Sequence, residues 1–318
     1  MKIIGFDTMK GMGISPKTCV DWVREGFLGK KEALLPKKIS LSPKEGTFFN
    51  FMPTLLPGAG VAGVKVVSRM PGRVPTLEAQ ILLYDGETGE ALALMDGTYI
   101  TAMRTGAVAA LAVEVLAVPH YREIGLIGMG NCGTAALLCL LDKNREKELT
   151  VKLYRYKDYH KAFIRRFQNY QNITFQVVDT YEAVIKDSDV ILSAVTYQEE
   201  DFVTDLSLFQ EGCLVVPIHT RGFMGCDTVF DRVIVDDVAH VHGFRYFDQF
   251  RYLAELTDVL LGEKMGRGRD KERILAYNIG LSIHDILFAR RYYERLMESG
   301  KAQLEEISLG GPGEKQWI

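Results

Sequence analysis

The sequence lacks the features that mark several specialised classes of protein. Its five cysteines are scattered and form no C-x-x-C pair, so we expect neither a disulfide framework nor a metal site. Acidic and basic residues are interspersed and the net charge is −3, which argues against a nucleic-acid partner. No apolar run of about eighteen residues occurs, and the first residues contain no secretory-type apolar stretch. We therefore expect a cytoplasmic, globular protein without a membrane partner.

A glycine-rich turn stands between a short apolar strand and an apolar helix in the segment 123–141. Gly128, Gly130 and Gly133 have the G-x-G-x-x-G spacing of a dinucleotide site. The first glycine of such a site allows the tight turn, the second lets the backbone approach a pyrophosphate, and the third lets helix and strand pack. The helix N-terminus offers free N–H groups and a positive dipole end to the phosphates. Because a strand and a helix flank the motif, it predicts a dinucleotide cofactor.

The rest of the chain has two different patterns. Over about residues 38–96, short apolar runs are split by turns, including the hairpin AQILLYD-GETG-EALALMD, which predicts a mixed or antiparallel sheet. Residues 98–116 are predicted to form a connecting helix. After Pro119, apolar β-branched strands alternate with helical stretches, which is typical of a doubly wound parallel sheet. A final long helix is predicted over about residues 274–299.

The second predicted strand after the glycine turn ends with two basic residues. An NAD-preferring site usually has Asp or Glu about 20 residues past the glycines, where it holds the ribose hydroxyls. This chain has Arg155 there, with Lys157 two residues on. A guanidinium binds a 2′-phosphate that a carboxylate would repel. We therefore predict NADP(H) as the preferred cofactor and NAD(H) as the alternative; a solvated charge at a strand end is the other interpretation of Arg155.

Two cations occur in apolar surroundings before the glycine turn. Lys65 lies within GVKVVS, and Arg104 lies within ITAMRTG. A buried cation is costly unless it is paired or faces a cleft, so the two residues indicate an anion pocket for a substrate carboxylate. Internal salt bridges, for example with Asp85 or Asp96, are the alternative interpretation.

The chain strongly resembles the ornithine cyclodeaminase/mu-crystallin family over most of its length. The resemblance is carried by FNFMPTLLP, GVKVVS, ILLYDGETGEALALMDGTYITAMRTGA, IGLIGMGNCG, AELTDVLLG and AYNIGLSIHDI. It implies a Rossmann domain joined to a substrate domain whose sheet forms a dimer. It also implies an NAD(P)-dependent enzyme of α-amino or α-imino acids, such as ornithine cyclodeaminase, archaeal-type alanine dehydrogenase, ketimine and pyrroline-carboxylate reductases or siderophore-precursor synthases.

Several site residues follow from this resemblance. The family's carboxylate-binding arginine falls at Arg104, and its active-site lysine falls at Lys65. A second carboxylate-binding arginine of many members corresponds to Lys38, which cannot bind bidentately. The threonine that follows a proline in the substrate loop matches Thr76. The resemblance therefore implies that Lys38, Thr76 and Arg104 bind the substrate and that Lys65 takes part in catalysis.

One position departs from the family. The family has an aspartate after the fifth Rossmann strand, which in the cyclodeaminase assists the amine chemistry. The matching residue in VVPIHTRGFMGCD is Arg221, and His219 lies just before it. A cation neither accepts a proton from an amine nor stabilises an iminium, so the departure argues against ornithine cyclodeamination by the family mechanism.

Three residues are candidates to replace the missing aspartate. His219 is an acid/base candidate because the pKa of histidine lies near neutrality, although a structural loop histidine is an equal alternative. Arg221 would instead bind a second substrate carboxylate. Asp227 would reach the site only after a rearrangement of the loop.

A pair of histidines follows further along the chain. His240 and His242 have the i, i+2 spacing that would place both on one face of a strand. No cysteine or carboxylate pattern nearby completes a metal site. We therefore predict that both are structural or line the cleft.

The sequence predicts an α/β fold with a Rossmann-type doubly wound parallel sheet in residues 118–286. A second α+β domain for substrate binding and dimerisation is predicted from residues 1–117 with 287–318. The predicted reaction is hydride transfer at Cα of a small amino or imino acid. Ornithine cyclodeaminase activity and a non-catalytic NADP(H)-binding protein of mu-crystallin type are the alternatives, and the missing aspartate favours the second. The predicted cofactor contacts are Gly128, Gly130, Asn131, Cys132, Gly133, Arg155, Lys157, Ser193, Val195 and Thr196.

Overall fold

The computed structural model describes residues 1–195, 198–220, 222–300 and 304–310. The predicted site residues Thr196 and Arg221 lie outside the described residues. The strands are β1 (Lys2–Ile4), β2 (Ile39–Leu41), β3 (Phe48–Leu56), β4 (Val61–Arg69), β5 (Leu77–Asp85), β6 (Ala91–Asp96), β7 (Glu123–Ile127), β8 (Leu149–Tyr154), β9 (Ile173–Val178), β10 (Val190–Ser193), β11 (Leu214–Pro217), β12 (Arg232–Val235), β13 (Leu253–Glu255) and β14 (Ile274–Tyr277). The helices are α1 (Phe6–Gly11), α2 (Pro16–Leu28), α3 (Gly97–Leu116), α4 (Asn131–Lys143), α5 (Tyr159–Arg166), α6 (Tyr181–Ile185), α7 (Val238–Val241), α8 (Leu256–Leu260) and α9 (Ser282–Ser299).

The chain forms two compact units. The first contains Met1–Gly13, Glu32–Ile100 and the described part of Ser282–Ile318, and the second contains Ile14–Lys31 and Thr101–Leu281. These limits differ from the predicted domains, residues 1–117 with 287–318 and residues 118–286, which stay a prediction of the functional domains. Helix α2 belongs to the second unit because it packs on α4. Most of α3 belongs there too, because a Cβ on Gly106 would lie 2.4 Å from the backbone carbon of Ala135.

The first unit contains a six-stranded sheet with the order β1-β6-β5-β4-β3-β2. Strand β1 pairs parallel with β6, and the remaining neighbours are antiparallel. This confirms the mixed sheet and the β5–β6 hairpin that the sequence predicts. Helix α9 packs on β3, β4 and β5. Gly63 permits this contact, because a Cβ at Gly63 would lie 2.7 Å from Cδ1 of Ile286.

The second unit contains an eight-stranded sheet with the order β13-β12-β14-β11-β10-β7-β8-β9, and all its neighbours are parallel. The chain runs from β7 to β8 and β9 on one side, then returns to place β10 on the other side of β7. This reversal of strand order creates a topological switch point at the carboxyl ends of β7 and β10, where α/β proteins bind ligands. The predicted doubly wound Rossmann sheet is confirmed.

Two predictions about the second half of the chain are wrong. The final helix does not begin at Ile274, because residues 274–277 form β14 and α9 begins at Ser282. A short, fully buried apolar run has no periodicity that separates strand from helix. His240 and His242 do not lie on a strand either. The side chain of Asp237 accepts a hydrogen bond from the N–H of Ala239 and caps helix α7, so His240 is helical and His242 is its C-cap.

Helix α3 is the one helix of residues 1–195, 198–220, 222–300 and 304–310 that is long and apolar enough to cross a membrane. Within the protein, 67% of its most apolar stretch is buried. Its apolar composition is therefore that of a core helix.

Candidate functional site

The three glycines of the turn after β7 have different surroundings. Gly128 has φ +102, and a Cβ there would lie 2.6 Å from the carbonyl carbon of Ala194. A Cβ on Gly133 would lie 2.1 Å from the carbonyl oxygen of Gly128. A Cβ on Gly130 would meet nothing within 4 Å. Gly128 and Gly133 are therefore required by the fold, whereas Gly130 leaves open space beside the turn.

Helix α4 begins beside this space, directly after Gly130. Gly130 is the N-cap and makes no side-chain capping hydrogen bond, so the first-turn N–H groups receive no acceptor from the cap. Asn131 is exposed and Cys132 is half-buried. An uncapped helix N-terminus beside an open glycine at the switch point fits the pyrophosphate of a dinucleotide.

Ser193 and His219 lie at the carboxyl ends of the strands next to this turn. Ser193 ends β10 and is aligned with Ile127 of β7 and Pro217 of β11. Its Oγ lies 2.6 Å from Nε2 of His219, and the tautomer of the histidine decides which atom donates. The structure thus brings the predicted residues Ser193 and His219 together at the edge where the glycine turn lies.

Val195 lies beside the same glycine turn. A Cβ on Gly128 would lie 3.0 Å from the backbone N of Val195. Gly128, Ser193, Val195 and His219 are therefore neighbours within one unit. Thr196 and Arg221 were predicted for the same region and lie outside the described residues.

Asp227 points into the core of the second unit. It is 1% exposed, and its Oδ1 accepts a hydrogen bond of 2.7 Å from the hydroxyl of Tyr277. Desolvation raises the pKa of Asp227 to about 7, against the lowering effect of this hydrogen bond. The carboxyl group therefore has a structural environment, and its reach to substrate after a rearrangement of the loop stays a prediction.

Arg155 at the end of β8 has an acidic partner. Its Nε donates a hydrogen bond to the carboxylate of Asp179, which follows β9, and both side chains are exposed. Neighbouring parallel strands bring their carboxyl ends to one edge of the sheet. The position of Asp179 directly after β9 could therefore have indicated that it lies beside Arg155. Lys157 has φ +50, and its ammonium lies 5.3 Å from the ring centroid of Tyr156.

Lys65 forms a buried ion pair in the first unit. Its Nζ lies 2.6 Å from Oδ2 of Asp285 in α9, and the side chains are 1% and 0% exposed. The two carboxylates that the sequence suggested as salt-bridge partners make other contacts. Asp85 accepts hydrogen bonds from its own turn, and Asp96 accepts one from the N–H of Tyr99. Asp285 was not predicted, although a carboxylate inside the apolar helix segment SIHDILFA was a signal for it.

The other two predicted substrate residues of the first unit lie in loops. Lys38 is exposed and precedes β2. Thr76 lies in the turn before β5, where its hydroxyl donates to the carbonyl of Arg73 at 3.4 Å. The guanidinium of Arg73 donates to the carbonyls of Ser68 and Thr76 and so braces the turn. Roles for Lys38 and Thr76 in substrate binding stay predictions.

Arg104 is buried in α3 of the second unit, with 6% of its surface exposed. Its guanidinium lies against Gly280, where a Cβ would come within 2.7 Å of Nη1. The N–H of Gly280 donates to Oδ2 of Asp236. Arg104 was predicted from the sequence, whereas Gly280 and Asp236 were not, because their positions beside it depend on long-range packing.

The two histidines after β12 have separate surroundings. His240 Nδ1 lies 3.1 Å from Oδ1 of Asp236, and the ring of His242 packs on Phe247 with centroids 5.0 Å apart. Among the residues that the structure describes, no group of three or more His, Cys, Asp or Glu side chains is arranged to hold a metal ion.

Known proteins with similar sequences and structures show where this chain belongs. It is 29% identical over 274 residues to the nodulation efficiency protein NfeD of Rhizobium meliloti, with 81% of this chain and 83% of that protein aligned. It is 29% identical over 310 residues to alanine dehydrogenase of Archaeoglobus fulgidus, with 89% and 92% aligned.

Two solved structures share the fold over nearly the whole chain. Δ1-Pyrroline-2-carboxylate reductase of Thermococcus litoralis, in complex with NADH and L-proline, has a TM-score of 0.85 and 25% identity, covering 96% of this chain and 100% of that one. An archaeal alanine dehydrogenase dimer with bound NAD has a TM-score of 0.83 and 24% identity, covering 97% and 99%. The model of the ornithine cyclodeaminase/mu-crystallin family matches residues 8–227. The chain belongs to the ornithine cyclodeaminase/mu-crystallin family.

Proposed function

We propose that this protein catalyses NAD(P)(H)-dependent hydride transfer at Cα of a small amino or imino acid. The proposal rests on the full-length similarity to a reductase that holds NADH and L-proline. The relative that is an alanine dehydrogenase supports the same substrate class. L-Proline with Δ1-pyrroline-2-carboxylate is the first pair to test, and L-alanine with pyruvate and ammonia is the second.

The cofactor is proposed to bind at the glycine turn. Gly130 leaves room for the pyrophosphate, and the uncapped N-terminus of α4 supplies N–H donors through Asn131 and Cys132. Ser193 and Val195 lie at the same edge of the sheet. A bound nicotinamide supplies the hydride in reduction and accepts it in oxidation.

We propose that the protein prefers NADP(H) to NAD(H) by a small margin. Arg155 and Lys157 provide positive charge at the end of β8, which suits a 2′-phosphate. The carboxylate of Asp179 holds the guanidinium of Arg155, so a phosphate has to compete with it. The relatives with a named bound cofactor hold NADH or NAD, so NAD(H) is the alternative.

Arg104 is proposed to bind the substrate carboxylate, with help from Lys38 and Thr76. A guanidinium binds a carboxylate bidentately. The burial of Arg104 and its contact with Gly280 restrict its orientation, so little freedom is lost when substrate binds.

Proton transfer is proposed to involve Lys65 and His219. When an imine is reduced, its carbon receives the hydride and its nitrogen receives a proton. Asp285 fixes the position of the Lys65 amine, which suits it to hydrogen-bond to the substrate and to exchange a proton with it. His219 takes the acid/base role of the family's missing aspartate, with Ser193 orienting the ring. For Arg221 we propose contact with a second substrate carboxylate.

The protein is proposed to act in the cytoplasm as a homodimer that uses the sheet of its first unit. Strand β2 lies at the edge of that sheet and exposes Ile39 and Leu41, and Leu34 is also exposed. Exposed apolar side chains that cluster on one element favour association. Sedimentation velocity is the measurement, and a monomer at micromolar concentration contradicts the dimer.

A substrate screen tests the reaction. Absorbance of NADH and NADPH is followed with Δ1-pyrroline-2-carboxylate, with pyruvate plus ammonia, and in reverse with L-proline and L-alanine. Turnover that is lost in Lys65→Ala supports the proposal. Cofactor binding without turnover of any screened substrate supports the non-catalytic alternative. Formation of proline from ornithine without net change in NADH supports the cyclodeaminase.

A further inference from the structure

A series of contacts in the second unit leads from the guanidinium of Arg104 through Gly280 to the carboxylate of Asp236. We infer that Asp236, supported by His240, is a positioning residue that fixes Arg104 through the backbone of Gly280 and thereby sets the affinity for the substrate carboxylate. The part concerning affinity rests on the proposed function; the part concerning the position of Arg104 does not.

The first contact joins Arg104 to Gly280. A Cβ at residue 280 would lie 2.7 Å from Nη1, 3.3 Å from Nη2 and 3.5 Å from Cζ of Arg104. The whole guanidinium therefore lies against the α-carbon of this glycine. Gly280 also has φ +110, a conformation that other residues rarely adopt. The guanidinium is thus packed against the backbone at residue 280, so a shift of that backbone would change the space in which the guanidinium lies.

The second contact joins Gly280 to Asp236. The N–H of Gly280 donates to Oδ2 of Asp236, whose side chain is 1% exposed. The N–H of Asp236 donates to the carbonyl of Tyr277 at 3.1 Å, next to the paired residues Val235 and Tyr277. The carboxylate is therefore anchored to the end of β12 and β14, and its hydrogen bond to the glycine is charge-assisted. It fixes the backbone between β14 and α9 where Arg104 rests.

The third contact orients the carboxylate itself. His240 Nδ1 lies 3.1 Å from the second oxygen, Oδ1, of Asp236. Lys30 lies nearby, where it donates to the backbone carbonyl of Asp236 and pairs with the carboxylates of Asp237 and Glu255. On the carboxylate of Asp236, Oδ1 is held by His240 and Oδ2 by the N–H of Gly280. Both oxygens of the carboxylate are used, so the side chain cannot rotate without losing a contact.

A loosened Arg104 should change substrate binding more than chemistry. The carboxylate of the substrate is charged in the ground state and in the transition state alike, so its contact with Arg104 is a uniform one. Loss of uniform binding raises KM and leaves kcat nearly unchanged. A general structural defect would instead lower the fraction of active enzyme, and kcat would fall with it.

The experiment compares Asp236→Asn with Asp231→Asn. Asp231 is the matched control, because its carboxylate accepts a hydrogen bond from the N–H of Arg273 at the opposite end of β12. In Asp236→Asn we expect KM for L-proline to rise about 10-fold, with kcat within about twofold and the Kd for NADH unchanged. In Asp231→Asn we expect all three constants to stay near those of the wild type.

His240 variants provide a second test that does not depend on the folding of Asp236→Asn. His240→Ala is expected to raise KM about threefold, and His240→Asn to restore it, because the amide nitrogen of asparagine takes the place of Nδ1. Equal KM values in wild type, His240→Ala and Asp236→Asn overturn the role of both residues in substrate binding.

A crystal structure of each variant measures the position of Arg104 independently of turnover. A displaced guanidinium in Asp236→Asn supports the inference, and an unmoved guanidinium overturns it. If the wild-type protein neither binds nor converts amino or imino acids, the proposed function has failed. The displacement of Arg104 still decides the inference in that case.

Discussion

The ammonium of Lys65 and the carboxylate of Asp285 lie 2.6 Å apart in the interior of the first unit, and neither side chain has more than 1% of its surface exposed. Removing two charges from water costs several kcal/mol per ion, which only close geometry and further hydrogen bonds offset. This pair therefore joins strand β4 to helix α9 and fixes the orientation of the lysine.

Asp285→Asn is expected to lower both stability and activity. The substitution keeps the size of the side chain but removes the counter-charge of Lys65, at a cost of about 3–5 kcal/mol in the free energy of unfolding. Urea denaturation of the purified protein measures this cost. Activity with the substrate found in the screen should fall even where the variant is fully folded, because Lys65 is no longer oriented.

The double variant Lys65→Met with Asp285→Leu is the control for this pair. It removes both charges, so it should be more stable than Asp285→Asn while remaining inactive. Equal stability of wild type and Asp285→Asn contradicts a structural role for the ion pair.

The glycine turn could be predicted from the sequence because all its determinants are local. Gly128, Gly130 and Gly133 fall within six residues between a strand and a helix, and the structure has the turn, the helix start and the switch point there. The alternation of strands and helices likewise predicted the parallel sheet. These are properties of short segments.

The partners of the site residues could not be predicted in the same way. Asp285 meets Lys65, and Asp236 meets Gly280, through contacts between segments far apart in the chain. The sequence shows only that a buried charge needs a partner and does not say which carboxylate supplies it. Strand β14 was missed for a different reason. Its four buried apolar residues have a composition that suits a strand or a helix equally.

Alanine at Gly130 should weaken cofactor binding with little effect on stability, whereas alanine at Gly133 should lower stability. Gly130→Ala meets no atom within 4 Å, so stability should change by about 1 kcal/mol or less, the cost of a poorer N-cap. The added methyl occupies space proposed for the pyrophosphate, and the Kd for NADH should rise at least about 10-fold. Gly133→Ala would place its methyl 2.1 Å from a carbonyl oxygen and should lose at least about 2 kcal/mol of stability.

Fluorescence titration with NADH and thermal unfolding are the measurements for this pair. The matched comparison separates cofactor contact from packing. A Gly130→Ala protein that binds NADH as the wild type does would exclude the glycine turn as the pyrophosphate site.

Asp179→Ala should shift cofactor preference towards NADP(H). The substitution releases the guanidinium of Arg155 for a 2′-phosphate. Because exposed ion pairs contribute about 1 kcal/mol or less, the ratio of the Kd values for NADH and NADPH should rise by about three- to fivefold. Asp158→Ala is the control, since this nearby exposed carboxylate pairs with Lys161 instead. The same shift in both variants would show a general charge effect rather than competition at Arg155.

His219→Asn tests the acid/base role. General acid–base catalysis contributes about 100-fold or more, so kcat should fall by about that factor while the Kd for NADH stays unchanged. Ser193→Ala removes the hydroxyl 2.6 Å from Nε2 and should lower kcat less, about 10-fold, because the imidazole remains but loses its orienting partner. The pH dependence of kcat should flatten in His219→Asn only. Unchanged kcat in that variant leaves His219 as a structural loop residue.

Asp227 should make the protein less stable as the pH rises from about 4 to 7. Desolvation raises its pKa in the folded protein to about 7, from the ordinary value of 3.8 that we take for the unfolded chain. Below both values the carboxyl group is protonated in the folded and unfolded chains, and it contributes no pH dependence. Between them the unfolded chain has released the proton and the folded protein has kept it, so stability falls with increasing pH and then becomes constant above about 7.

The total fall corresponds to about 4 kcal/mol. Asp227→Asn cannot ionise and still accepts the hydrogen bond from Tyr277. It should therefore match the wild type near pH 4 and exceed its stability above pH 7. Urea denaturation of both proteins at a series of pH values gives the difference directly, and the pH dependence from all other groups cancels in it. A difference that stays constant across the series would show that Asp227 does not change its ionisation on folding.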